Sequence, residues 1–215
     1  MARYNRSKIL SITAAQVQEL RKLSGAGIMD CRAALTESHG DVKLAFLLLR
    51  KRDLARARGM EGKPTGEGLV LSYVHPGHKV GALVEVNCQS DFVARTPEFR
   101  ELCKDISMQI VASAPKFISR EDIPQTMIKK EKEIYRSQAV NANKPPKVID
   151  KIVSGKLEKY FGEICLLEQP FIKDTSITVR EYLDLAISRL AENIVIRRFV
   201  RYKLGEELKE GIAID

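Results

Sequence analysis

The 215-residue chain predicts an α+β protein: a small N-terminal three-helix domain, then a core in which a small antiparallel sheet is packed by helices and carries a helical hairpin. Three observations lead there. Helix start and stop signals crowd the first fifty residues, two β-branched runs flank a Pro-Gly turn in the middle, and two long charged helical patterns surround NANKPP further on.

Thr13 and Gln16 have the spacing of a capping box, in which each side chain satisfies a free backbone N–H at the helix start. A first helix over about Thr13 to Lys22 follows, and Gly25 and Gly27 of SGAG break it. A second, about Ile28 to Ser38, is expected to stop at Gly40 in a left-handed cap. Asp41 can cap a third, with Val42, Ala45, Phe46 and Leu49 turned inward. The three-helix domain is placed at 13–56, behind a basic tail over 1–12 that carries Arg3, Arg6 and Lys8 and for which disorder is expected. Residues 57–67 lack apolar periodicity and have linker composition, so the core is expected over 68–215.

Within that core, strands are expected at about Leu69 to Val74 and Val80 to Cys88, joined at HPGHK. Thr96, Pro97 and Glu98 then supply an N-cap, a pre-set first helical residue and a first-turn acid. Phe99, Leu102, Cys103, Ile106 and Ile110 recur every three or four residues, which marks a buried helical face. The helical hairpin falls near 125–163, with Ile149, Ile152, Val153 and Leu157 as its seam. Thr178 and Glu181 repeat the capping box, and NIVIRRFVRYKLG closes the chain with strand composition suited to the hairpin's sheet.

Composition narrows the function classes. No apolar run approaches the ~20 residues of a membrane helix, and the start has no apolar leader region, so a cytosolic protein without a membrane partner is expected. The four cysteines and three histidines have no metal-ligand spacing, and neither SGAG nor KPTGEG has the spacing of a phosphate loop. No metal, cofactor or catalytic group is therefore expected. The formal charge of +8 is concentrated in part at RKRDLARAR, residues 50–58, and around Arg197 to Lys203. That charge suits a basic RNA- or ribosome-associated module, but no aromatic stacking surface accompanies it, and no specific nucleic-acid ligand is expected.

The junction QSDFVAR, Gln89 to Arg95, admits two readings. Ser90 or Asp91 can cap a short helix whose Phe92 turns inward onto the helix beginning at Pro97. Alternatively, a short turn projects Phe92 as an aromatic anchor, the residue type that dominates protein interfaces.

Three ordered segments resemble the elongation factor Ts family. Leu20-Arg21 with Ser24-Gly25-Ala26-Gly27-Ile28-Met29-Asp30-Cys31 matches the first family signature, with serine for threonine. Asn87-Cys88-Gln89-Ser90-Asp91-Phe92-Val93-Ala94 matches the second, again with serine for threonine, and LLEQPFIKD, Leu166 to Asp174, resembles a third segment. The resemblance implies a guanine-nucleotide exchange factor for elongation factor Tu, without covalent catalysis. It also implies a ubiquitin-associated-like N-terminal domain that docks on the GTPase, and a core that inserts the Asp-Phe segment near the partner's phosphate loop and magnesium. The positions carried over are Ile28, Met29 and Arg32 on the first domain and Asp91, Phe92 and Val93 on the core. Arg32 stands where the family usually has lysine, and Arg58 to Pro64 departs from a basic family stretch. The chain resembles short forms with a single core half, which implies a possible homodimer.

Overall fold

A computed structural model describes residues 12–207; all but the last residue of the expected basic tail at 1–12, and the last eight positions of the expected core, lie outside them. The chain opens with helices α1 (Ala14–Ser24), α2 (Ile28–Glu37) and α3 (Val42–Met60). They close around Leu20, Cys31, Leu35, Ala45 and Leu49, all buried. The Thr13–Gln16 capping box forms at the start of α1, with the Gln16 amide donating to Thr13 Oγ1 at 3.2 Å and the Thr13 amide donating to Gln16 Oε1 at 3.0 Å.

Two boundaries differ from the sequence expectation for local reasons. Helix α1 runs two residues further, because Ser24 Oγ donates back to Leu20 O and left-handed Gly25, φ 67°, closes the turn. Helix α3 enters the expected linker and ends at Met60, because Ala57 is buried in the main core and Met60 packs against it. In its second half the apolar contacts with the main core are Ala57 and Met60, a stripe too narrow to register as apolar periodicity.

Strands β1 (Glu67–Val74) and β2 (Val80–Cys88) pair antiparallel as the expected hairpin, with β1 starting two residues before Leu69 and with Leu71 opposite Val84. Gly77 and His78 take φ of 92° and 55° in their connecting turn, and His75 and His78 are exposed. Gly68 accepts a close approach of the Val86 carbonyl that any side chain would obstruct. This draws β1 against the end of β2 that leads into QSDFVAR.

A four-residue helix, α4 (Asp91–Ala94), follows β2 and leads into α5 (Pro97–Ser113). Phe99, Leu102, Cys103, Ile106 and Ile110 of α5 are all buried against the sheet, as their spacing predicts. The helical pair α6 (Gln125–Asn141) and α7 (Pro146–Ile164) then projects, with Val153 buried in its seam and Ile149, Ile152 and Leu157 partly so. Arg120 fastens its base, pairing with Glu158 at 2.6 Å and with Glu168 while lying 4.5 Å over the Phe161 ring.

A two-stranded ribbon, β3 (Pro170–Phe171) and β4 (Asp174–Thr178), was not legible in the sequence. It is too short to carry a period, and it is held by tertiary contacts instead. Phe171 stacks on Tyr182 at 4.1 Å, and Lys173 pairs with buried Asp105 at 2.6 Å. Helix α8 (Val179–Leu190) and strand β5 (Val195–Lys203) complete the chain. Among the described residues the main sheet has the order β1-β2-β5, all antiparallel, so the last strand does join the hairpin.

One face of this sheet carries the core, with Val84, Val86 and Ile196 buried. The other is open and apolar: Val70 and Val74 of β1, Leu83 of β2, and Val200 and Tyr202 of β5 are exposed. The register places Leu83 opposite Val200, so these side chains form one patch.

Candidate functional site: two exposed anchors on a fixed frame

Helix α2 begins abruptly after extended Gly27, φ −62° and ψ 153°. Cys31, Ala34 and Leu35 take its inward face, so helical geometry turns Ile28, Met29 and Arg32 to the outside. Met29 is 74% exposed and Ile28 55%. Two large apolar side chains exposed at one helix start, beside a cation, are unusual for a surface with no partner.

The second cluster lies on α4. Ser90 is its N-cap, accepting from the Val93 amide at 3.4 Å, and Thr96 Oγ1 donates to Val93 O at 2.8 Å to close the turn. Ala94 is buried, and Val93 is half-buried against the main core. These two side chains take the inward directions of the single helical turn, which leaves the outward one to Phe92. That ring is 82% exposed, so the inward alternative is overturned: the cap forms, and it presents the phenylalanine.

Asp91 pairs with Arg95 at 2.9 Å, one helical turn on. The loop itself is positioned by a residue that sequence reasoning missed. Glu192, just past α8, accepts from the Gln89 and Ser90 amides at 3.0 and 3.1 Å through Oε2, and from Ser90 Oγ at 2.6 Å through Oε1. A carboxylate with three donors is a strong, geometrically demanding clamp. No local signal could have found it, because the partners lie about a hundred positions apart.

Cys88 ends β2 beneath the loop, fully buried, and its Sγ donates to Ser90 O at 3.2 Å. Burial, and secondarily the nearby Glu192 carboxylate, push its thiol above the ordinary value, so it is a packing group rather than a nucleophile. All four cysteines are buried and free. Among the described residues no group of three or more His, Cys, Asp or Glu side chains is arranged to hold a metal ion, and no helix is long and apolar enough to cross a membrane.

The six sequence-predicted site residues thus fall into two groups, Ile28, Met29 and Arg32 on α2 and Asp91, Phe92 and Val93 on α4. Exposed apolar side chains on a frame of short helices and sheet are the kind of surface that protein partners cover, which points to the class of protein-binding factors. A family model described as Elongation factor TS matches residues 49–206. The chain is 52% identical to the Elongation factor Ts of Heliobacterium modesticaldum over 197 residues, 92% of each chain. It is also 52% identical to that of Moorella thermoacetica over 200 residues, 93% of this chain and 98% of the relative. With that of Geobacter sulfurreducens it shares 50% over 201 residues, 94% of this chain and 93% of the relative. The chain belongs to the elongation factor Ts family. The family's role is guanine-nucleotide exchange on elongation factor Tu during translation elongation, and it is not an enzyme.

Proposed function

We propose that this chain accelerates GDP release from elongation factor Tu by presenting Phe92, flanked by Asp91 and Val93, to the partner's nucleotide and magnesium region. The three-helix unit over 13–56 serves as a docking domain that grips the GTPase through Ile28, Met29 and Arg32. The observation that carries this reading is the largely exposed Phe92 ring on a turn capped by Ser90 and held by Glu192. Exposing an aromatic side chain forgoes ~2 kcal/mol of burial that a partner can supply. Exchange then follows from linkage: if this chain weakens GDP on the partner, GDP weakens this chain on the partner by the same factor.

The test is release of a fluorescent GDP analogue from preloaded elongation factor Tu, and release that the native chain does not accelerate rules the reading out. Met29→Ala is expected to raise the half-saturating concentration about tenfold while leaving the maximal release rate in place, since it removes grip rather than displacement. A fall in maximal rate at unchanged half-saturation would reassign Met29.

The alternative of a basic RNA-binding module is weakened by the fate of its charges. Arg50 pairs with Glu181 at 2.6 Å, Arg52 with Glu37 at 2.5 Å and Arg56 with Asp30 at 3.2 Å. Arg198 pairs with Glu85 at 2.7 Å, and Arg201 with Glu206 at 3.3 Å. Five of the nine basic residues in the two segments are thus engaged with carboxylates of the same chain.

Self-association belongs to the same proposal. The open sheet face bearing Leu83, Val200 and Tyr202 suits a second copy of the chain better than it suits water. Light scattering is expected to give a dimer mass, and Leu83→Lys a monomer. A monomeric native chain at tens of micromolar, a generous concentration for a specific dimer, would remove this part.

A further inference from the structure

We infer that the six residues at the end of α8, Ser188 to Asn193, are the positioning element of exchange, with Glu192 setting the angle at which Phe92 is presented. This deepens the reading of Phe92 as the displacing group and rests on it. Four of the six reach out to four other places in the chain. Ser188 Oγ donates to Asp53 Oδ1 at 2.7 Å and ties in α3. Arg189 donates to Ser24 O at 2.9 Å, its guanidinium lying over Gly25 so closely that any side chain there would strike it. Asn193 donates to Lys63 O at 2.7 Å and fixes the passage from α3 to β1. Glu192 holds Gln89 and Ser90.

The geometry that permits this is left-handed Ala191, φ 56°, which accepts the end of α8 and turns the chain. Arg189, before the turn, reaches the N-terminal bundle, while Glu192, after it, reaches the loop that carries Phe92. One short segment therefore joins the SGAG stretch that precedes Ile28 and Met29 to the QSDF stretch that carries Phe92. A partner gripped by the first cluster meets the second at a spacing that this segment sets. Rigid placement matters because misplacement of an acting group by about 1 Å can cost on the order of a hundredfold in rate.

Glu192 acts through Phe92 and touches no partner group in this scheme, so its substitution has a distinctive signature. Glu192→Ala is expected to lower the maximal GDP-release rate about tenfold, the scale of losing charge-assisted hydrogen bonds, at nearly unchanged half-saturation. Glu192→Gln keeps one oxygen for the two amides and an amide donor for Ser90, so it is expected to restore most of the rate. In a Phe92→Ala background, Glu192→Ala is expected to add little, because the ring it aims is gone. Independently of any partner, amide exchange at Gln89 and Ser90 is expected to speed at least about tenfold in Glu192→Ala, while exchange in α5 stays put.

Unchanged exchange at those two amides overturns the clamp itself. Faster exchange with an unaltered release rate, or a loss of rate equally large in the Phe92→Ala background, overturns its role in presentation. If Phe92→Ala releases GDP as well as the native chain while the two amides still respond to Glu192→Ala, the displacing role of Phe92 fails and the clamp stands as geometry alone.

Discussion

Phe92→Ala is expected to reduce the acceleration of GDP release at least about thirtyfold, the rate equivalent of the ~2 kcal/mol that marks an interface hot spot. The side chain makes this a clean experiment. At 82% exposure it contributes almost nothing to the packed state, so the variant should unfold within about 0.5 kcal/mol of the native chain. The backbone of α4 is kept by the Ser90 cap, the Thr96 closure and the Glu192 clamp, none of which involves the ring. The loss should appear in the maximal rate, since the proposed grip of Ile28, Met29 and Arg32 is left in place. Release within threefold of native, with native stability, would show that displacement is done by another group.

The second large effect concerns the phenylalanine seven positions on. Phe99→Ala is expected to destabilise the chain by about 3–5 kcal/mol, the range for emptying a buried aromatic site. Phe99 is fully buried at the first turn of α5, beneath α4 and against the sheet. A loss of that size is a large part of the ~5–15 kcal/mol that holds an ordinary domain together. The urea midpoint should drop sharply with little change in slope, because the surface exposed on unfolding is nearly the same. Release activity should then track the folded fraction, unlike the pattern at Phe92. A midpoint that moved by less than the equivalent of ~1 kcal/mol would mean that the site collapses on the smaller side chain.

These two residues also mark what the sequence disclosed. Phe99 was legible because a helix of seventeen residues repeats its buried face often enough to be read, from Phe99 through Ile110. Phe92 was not, since a four-residue helix has no period, and capping by Ser90 is compatible with either direction of the ring. The resemblance to a family named the residue, but its direction came from tertiary structure, where Ala94 and Val93 fill the inward positions. Glu192 and the β3–β4 ribbon were hidden for the same reason: their partners are distant in the chain, as Glu192 is from Ser90 and Lys173 from Asp105. Capping boxes, by contrast, are local chemistry, and both Thr13–Gln16 and Thr178–Glu181 were readable directly.

The outward ring has a kinetic consequence as well. A binding group that rested inside the core would be available only in the fraction of molecules where it had swung out, and apparent affinity would fall by that fraction. In this chain the free protein already holds Phe92 in the open, by contacts that need no partner. On the proposed role of Phe92, no opening step of this chain is needed before encounter. The observed association rate should therefore rise in proportion to the concentration of this chain, without the plateau that a slow rearrangement within it would impose.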